Sequence, residues 1–102
     1  MTIRVLMTRR IPELTSGMDL SIMPRLNELL IKLRSMANVQ PGYISGETMH
    51  NVEDTSEYLV IGTWKSLEAW HNWLKNPKRA AMEAEIDDLL GTPTVYRVYS
   101  YD

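Results

Sequence analysis

Hydrophobic positions along this chain change their period several times, and each change marks an element. Over residues 2–10, Ile3, Val5, Met7 and Arg9 alternate with Arg4, Leu6, Thr8 and Arg10. A period of two predicts a strand. Pro12 and Gly17 then break the chain into a loop. Over residues 22–37, Ile22, Leu26, Leu29, Leu30, Leu33 and Ala37 take the spacing of an amphipathic helix, with Arg25, Glu28 and Lys32 on its polar side. Ser21 stands where an N-cap belongs, and Pro24 falls in the first turn, which needs no amide donors.

Pro41-Gly42 ends that segment. Residues 43–50 predict a second strand, and residues 51–56 a tight polar connection. Residues 57–65 predict a third strand, nearly continuous in Tyr58, Leu59, Val60 and Ile61. A strand apolar on both faces needs cover on both. Ser66 then caps a short helix over residues 67–75, with Leu67, Trp70, Trp73 and Leu74 inward. Asn76 caps the next helix and Pro77 opens it at a favoured first position. That helix runs to Leu90 on a stripe of Met82, Ile86, Leu89 and Leu90, and Gly91 is a typical residue to follow it. After Pro93, residues 94–101 alternate again as a last strand. With the second and third helices taken as one broken connection, the order is βαββαβ, an α+β ferredoxin-like domain with a four-stranded antiparallel sheet. Helices cover one face of such a sheet. The other face is an apolar patch, which marks an interface, and pairing two sheets face to face buries it.

At 102 residues the chain is one domain, residues 1–102, with a modest core. A net charge of −2 and scattered basic residues give no footprint for nucleic acid. The doublets Arg9-Arg10 and Lys78-Arg79 read as solvated surface. The absence of cysteine excludes disulfides, thiolate metal sites and cysteine nucleophiles. No apolar run reaches membrane-spanning length, and the alternating, charged N-terminus is no signal peptide. A soluble cytoplasmic protein is the expectation. Seven methionines against no phenylalanine predict an adaptable core.

Motifs with their own chemistry are few. The sequence holds no glycine-rich phosphate loop, no Gly-x-Ser-x-Gly and no His-x-x-x-His. His50 and His71 stand far apart, so no spacing points to a metal. Trp64, Trp70, His71 and Trp73 are concentrated in one short run. Trp70 and Trp73, at i and i+3, share a helix face with Leu67 and Leu74. That stripe reads first as core packing, for Trp64 and Trp70 above all, while Trp73 reads equally as the wall of a pocket and His71 as a solvated edge.

The run from Gln40 to Pro77 carries a resemblance. Gln-Pro-Gly-Tyr-Ile-Ser-Gly-Glu-Thr, then Tyr58-Leu-Val-Ile-Gly-Thr-Trp-Lys-Ser66, then Leu67-Glu-Ala-Trp-His-Asn-Trp-Leu-Lys-Asn-Pro77 resembles the antibiotic biosynthesis monooxygenase family. The resemblance implies a homodimeric α+β barrel. It further implies a small monooxygenase without metal or bound cofactor, acting on an aromatic or quinol-like substrate that supplies the reducing power. The protein then contributes an apolar cavity, positioning and a proton acceptor. Trp73, nine residues after the strand-ending Trp64, matches a functional position of the family. Trp73, His71 and Arg9 follow as candidate catalytic residues, Arg9 by holding a phenolate, and Trp64, Trp70 and Glu83 as candidate substrate contacts. The haem-degrading branch combines a first-strand asparagine, a tryptophan and an iron-ligating histidine. Only Trp73 matches it, for the asparagine position falls near Arg9 and the histidine position on Glu83. A non-catalytic dimeric module binding a small apolar ligand is the alternative reading, and a haem protein the third.

Overall fold

A computed structural model describes residues 1–11 and 21–102. The loop predicted around Pro12 and Gly17 lies outside these residues. The described chain runs β1 (Ile3–Arg10), α1 (Ile22–Asn38), β2 (Tyr43–His50), β3 (Glu57–Trp64), α2 (Leu67–Leu74), α3 (Pro77–Leu90) and β4 (Val95–Ser100). Every predicted element is present, with ends within a residue or so of those expected. The four strands form one antiparallel sheet in the order β2-β3-β1-β4, the ferredoxin-like arrangement.

Register explains how the sheet divides its residues. Ile3, Val5, Met7 and Arg9 of β1 lie opposite Trp64, Gly62, Val60 and Tyr58 of β3. Successive side chains alternate between faces, so these eight share the face under the helices. Ile3, Val5 and Trp64 are almost wholly buried there with Leu26, Leu29 and Leu33 of α1, Trp70 and Trp73 of α2, and Ile86 and Leu90 of α3. The opposite face presents half-buried Leu6, Leu59 and Ile61, with exposed Met49, Val95 and Tyr99. Among the described residues no helix covers that face.

Caps fix the shorter helices. The Ser66 hydroxyl accepts from the Ala69 amide, and the Asn76 side chain accepts from the amides of Lys78 and Arg79. Gly91, at φ 70°, closes α3 in the left-handed conformation. Two local expectations are corrected. The residue Ser21 is itself helical in backbone and its side chain makes no cap hydrogen bond. Leu67 is 46 % exposed rather than inward. It occupies the first turn of α2, whose buried stripe begins only at Trp70.

Two apolar residues of α1 separate burial from composition. Leu26 is fully buried and Ile31 is 62 % exposed. Leu26→Ala should cost about 2–5 kcal/mol in chemical denaturation. Ile31→Ala should stay within about 0.5 kcal/mol of the parent.

Candidate functional site

Between α1, the sheet and helices α2 and α3 lies a cavity of about 440 Å³. That volume is within the usual range for small-molecule sites. Its wall includes Met7, Leu33, Tyr43, Tyr58, Val60, Trp64, Trp70 and Trp73. Aromatic rings make up one side as a continuous chain. Tyr43 meets Trp64 edge-on at 5.2 Å, Trp64 lies 5.9 Å from Trp70, and Trp70 lies 5.9 Å from Tyr96. Two glycines lie directly against these rings. Gly46 of β2 pairs with Gly62 of β3, both line the cavity, and neither presents a side chain to it. A Cβ at Gly46 would collide with the Tyr43 hydroxyl, and one at Gly62 would stand 3.2 Å from the Trp64 indole nitrogen. Glycine at both positions therefore makes room for the rings that shape the site.

One end of the cavity is charged. Arg9 and Glu83, each buried, form a two-pronged pair. Arg9 Nη2 donates to Glu83 Oε1 at 3.0 Å, and Nη1 donates to Glu83 Oε2. Arg9 Nη1 also donates to the Thr94 hydroxyl at 2.9 Å, which in turn donates to Asp87 at 2.7 Å. Arg79 adds a second guanidinium, 3.4 Å from Glu83 Oε1, donating to the Tyr96 hydroxyl and lying 5.7 Å from the centre of the Trp70 ring. Burial by itself would raise the Glu83 carboxyl, but the hydrogen bonds and charge of Arg9, with Arg79, hold it below the usual carboxylate range. Burial together with the charge of Glu83 pushes the Tyr96 hydroxyl up to about 12. Burial likewise raises the Tyr58 hydroxyl, against the influence of Arg9.

The structure brings Trp64, Trp70, Trp73, Arg9 and Glu83 to the cavity wall. It does not bring His71 there. His71 is exposed and absent from the lining, because it precedes Trp73 by two positions and projects from another side of α2. The arginine doublets are corrected in part: Arg10 and Lys78 are exposed, but Arg9 and Arg79 are 4 % and 5 % exposed. Two cues in the sequence bear on this. Arg9 continues the inward phase of Ile3, Val5 and Met7, and Arg79 precedes Glu83 by four positions on one helix face. Tyr58, Tyr43 and Thr94 carry no comparable cue. Among the described residues, no group of three or more histidine, aspartate and glutamate side chains is placed to hold a metal ion. Glu83 has both oxygens engaged by arginine.

Known proteins share this fold. The family model for antibiotic biosynthesis monooxygenase matches residues 25–85, and the chain belongs to that family. SnoaB, a cofactor-independent oxygenase from Streptomyces nogalater, superposes with a TM-score of 0.75 at 11 % identity, over 99 % of this chain and 93 % of its own. A conserved protein from Methanosarcina mazei Go1 gives 0.80 at 13 % identity, over 99 % and 93 %. A crystal structure of an antibiotic biosynthesis monooxygenase gives 0.76 at 10 % identity, over 98 % of each chain. At such identities the likeness is one of fold. A comparison with curated sequences finds no match.

Removing Glu83 leaves two buried guanidinium groups facing each other. Glu83→Ala should therefore cost about 3–5 kcal/mol in urea unfolding. Acid should reveal the same pair. A carboxyl lowered in the folded state contributes stability that is present above its unfolded value, about 4.3, and is lost as pH falls through the lower folded value. Unfolding free energy measured from pH 6 downward should thus fall below about pH 4 in the parent, and less steeply in Glu83→Gln.

Proposed function

We propose that this member of the antibiotic biosynthesis monooxygenase family is a small oxygenase acting without metal or bound cofactor on an aromatic, quinol-like substrate. The observation that carries the reading is the tryptophan-walled cavity ending in a buried arginine pair. Flat rings suit a wall of tryptophan and tyrosine, and an oxygen substituent suits the arginine end. A quinol and O₂ together balance a hydroxyquinone and water. One oxygen atom enters the ring, the other leaves as water, and all the electrons come from the substrate. In this reading Trp73, Trp64 and Trp70 pack the substrate and Arg9 steadies its oxygen. Glu83 acts as a positioning residue that fixes Arg9. His71 has no part in it.

One observation favours a second reading, a non-catalytic module for a small aromatic ligand. The carboxylate at the arginine end, Glu83, already accepts from Arg9 and Arg79, so that end offers no unengaged carboxylate to take a proton. Oxygen uptake separates the two. With a panel of hydroquinones and polyphenols, the oxygenase consumes one O₂ per hydroxyquinone formed, and Trp73→Ala lowers the rate at least about tenfold. Saturable binding of the same compounds without oxygen uptake supports the module.

The uncovered sheet face supports a homodimer in either reading. Half-buried Leu6, Leu59 and Ile61 and exposed Met49, Val95 and Tyr99 form an apolar surface on a domain of 11.8 kDa. A second copy laid on it face to face would bury about 2,000 Å² or more in total, as obligate dimers do. Light scattering at micromolar concentration should give twice the chain mass, and Ile61→Asp should shift it toward one. A monomeric parent protein would overturn the pairing.

A further inference from the structure

We infer that the arginine end of the cavity receives a negatively charged oxygen of the ligand, with the Arg9 Nε–H and the Tyr58 hydroxyl as its donors. The inference rests on the cavity being the ligand site and adds the ligand's charge and two of its contacts. Arginine offers five donors. In Arg9 both terminal nitrogens are engaged by Glu83 and Thr94, but Nε has no partner. The Tyr58 hydroxyl has none either. Their residues are 4 % and 7 % exposed, and a folded protein seldom leaves buried donors unmatched.

The two donors are neighbours by construction. Arg9 lies directly opposite Tyr58 in the β1–β3 ladder, on the helix-covered face, and both residues line the cavity. Side chains so paired leave the sheet about 5 Å apart. Both donor atoms are buried without a partner in residues that line the cavity, so their contact with a ligand oxygen requires the wall to open at that point. Charge sets the sign of that oxygen. Arg9, Arg34 and Arg79 line the cavity against Glu47 and Glu83, a surplus of one positive charge. Burial raises the Tyr58 hydroxyl, which keeps it a donor at neutral pH. Trp64, Trp70 and Trp73 in the cavity wall suit a flat aromatic carrier. The ligand class is therefore a planar aromatic acid ionised once, through either a carboxylate or an acidic phenol.

Quenching of tryptophan fluorescence tests this with 2-naphthoate, its neutral amide 2-naphthamide, and a nitronaphthol ionised at pH 7. The expected result is that at least one of the two anions binds about tenfold more tightly than the amide. Which anion does so identifies the oxygen source. Tyr58→Phe should weaken the preferred anion about tenfold, the worth of one charge-assisted hydrogen bond, and change the amide little. Its melting temperature should match or exceed the parent's, because the hydroxyl removed has no partner in the protein. Arg9→Lys, which keeps a charge facing Glu83 but lacks Nε, should weaken the same anion. Equal binding of acid and amide, or an anion preference unchanged in Tyr58→Phe, overturns the inference and leaves the cavity as the ligand site. Failure of all three compounds to bind overturns both.

Discussion

Arg9 and Glu83 meet across the interior of a very small domain, and the other features of the site are arranged around that meeting. Arg9 belongs to the central strand β1, and Glu83 to the middle of α3. Their pair fixes the helix over the sheet at the end where the apolar core stops. Thr94 and Asp87 extend the same network to the turn before β4, and Arg79 extends it to Trp70 and Tyr96. A buried ion pair is a poor source of net stability, because desolvation consumes most of its attraction. What it gives here is position. Each guanidinium is held in one orientation at the edge of a cavity that hydrophobic contacts alone would tend to close.

The remainder of the architecture follows from a shortage of cover. Among the described residues three helices pack on one face of a four-stranded sheet, and their apolar stripes are used up there on Ile3, Val5 and Trp64. The opposite face retains Leu6, Leu59 and Ile61 only half-buried. Cavity and open face therefore lie on opposite sides of the same strands. Along β3, Tyr58, Val60, Gly62 and Trp64 face the cavity side while Leu59, Ile61 and Thr63 face outward. One strand serves both surfaces through nothing more than alternation.

Strand and helix periods, caps and breakers were readable because each depends on neighbours in sequence. Asn76, Pro77 and Gly91 could be placed by their backbone preferences alone. The site was readable where it continued a local pattern, as with Trp70 and Trp73 on one helix face. Arg9 and Arg79 misled as doublets, since a basic pair usually faces water and the carboxylate that buries Arg9 lies 74 positions away. The charged inner face of α3 also weakens its apolar stripe, which a periodicity reading registers only at Met82, Ile86, Leu89 and Leu90. Tyr58 was assigned to the strand correctly and its role was hidden, because what matters is the residue opposite it. His71 lies outside the cavity lining for the converse reason. Its sequence neighbours line the cavity, but a helix turns about 100° per residue, and two residues suffice to carry a side chain outside.

The contact between Trp64 and Trp70 has a further consequence. Two indoles fixed 5.9 Å apart with their planes at 59° form a rigid, chiral pair of chromophores. Their electronic transitions couple, and the coupling has a sign set by the handedness of the arrangement. The protein thus carries an intrinsic circular-dichroism couplet from its own cavity wall. Any adjustment that tilts one ring against the other alters that band without an added label.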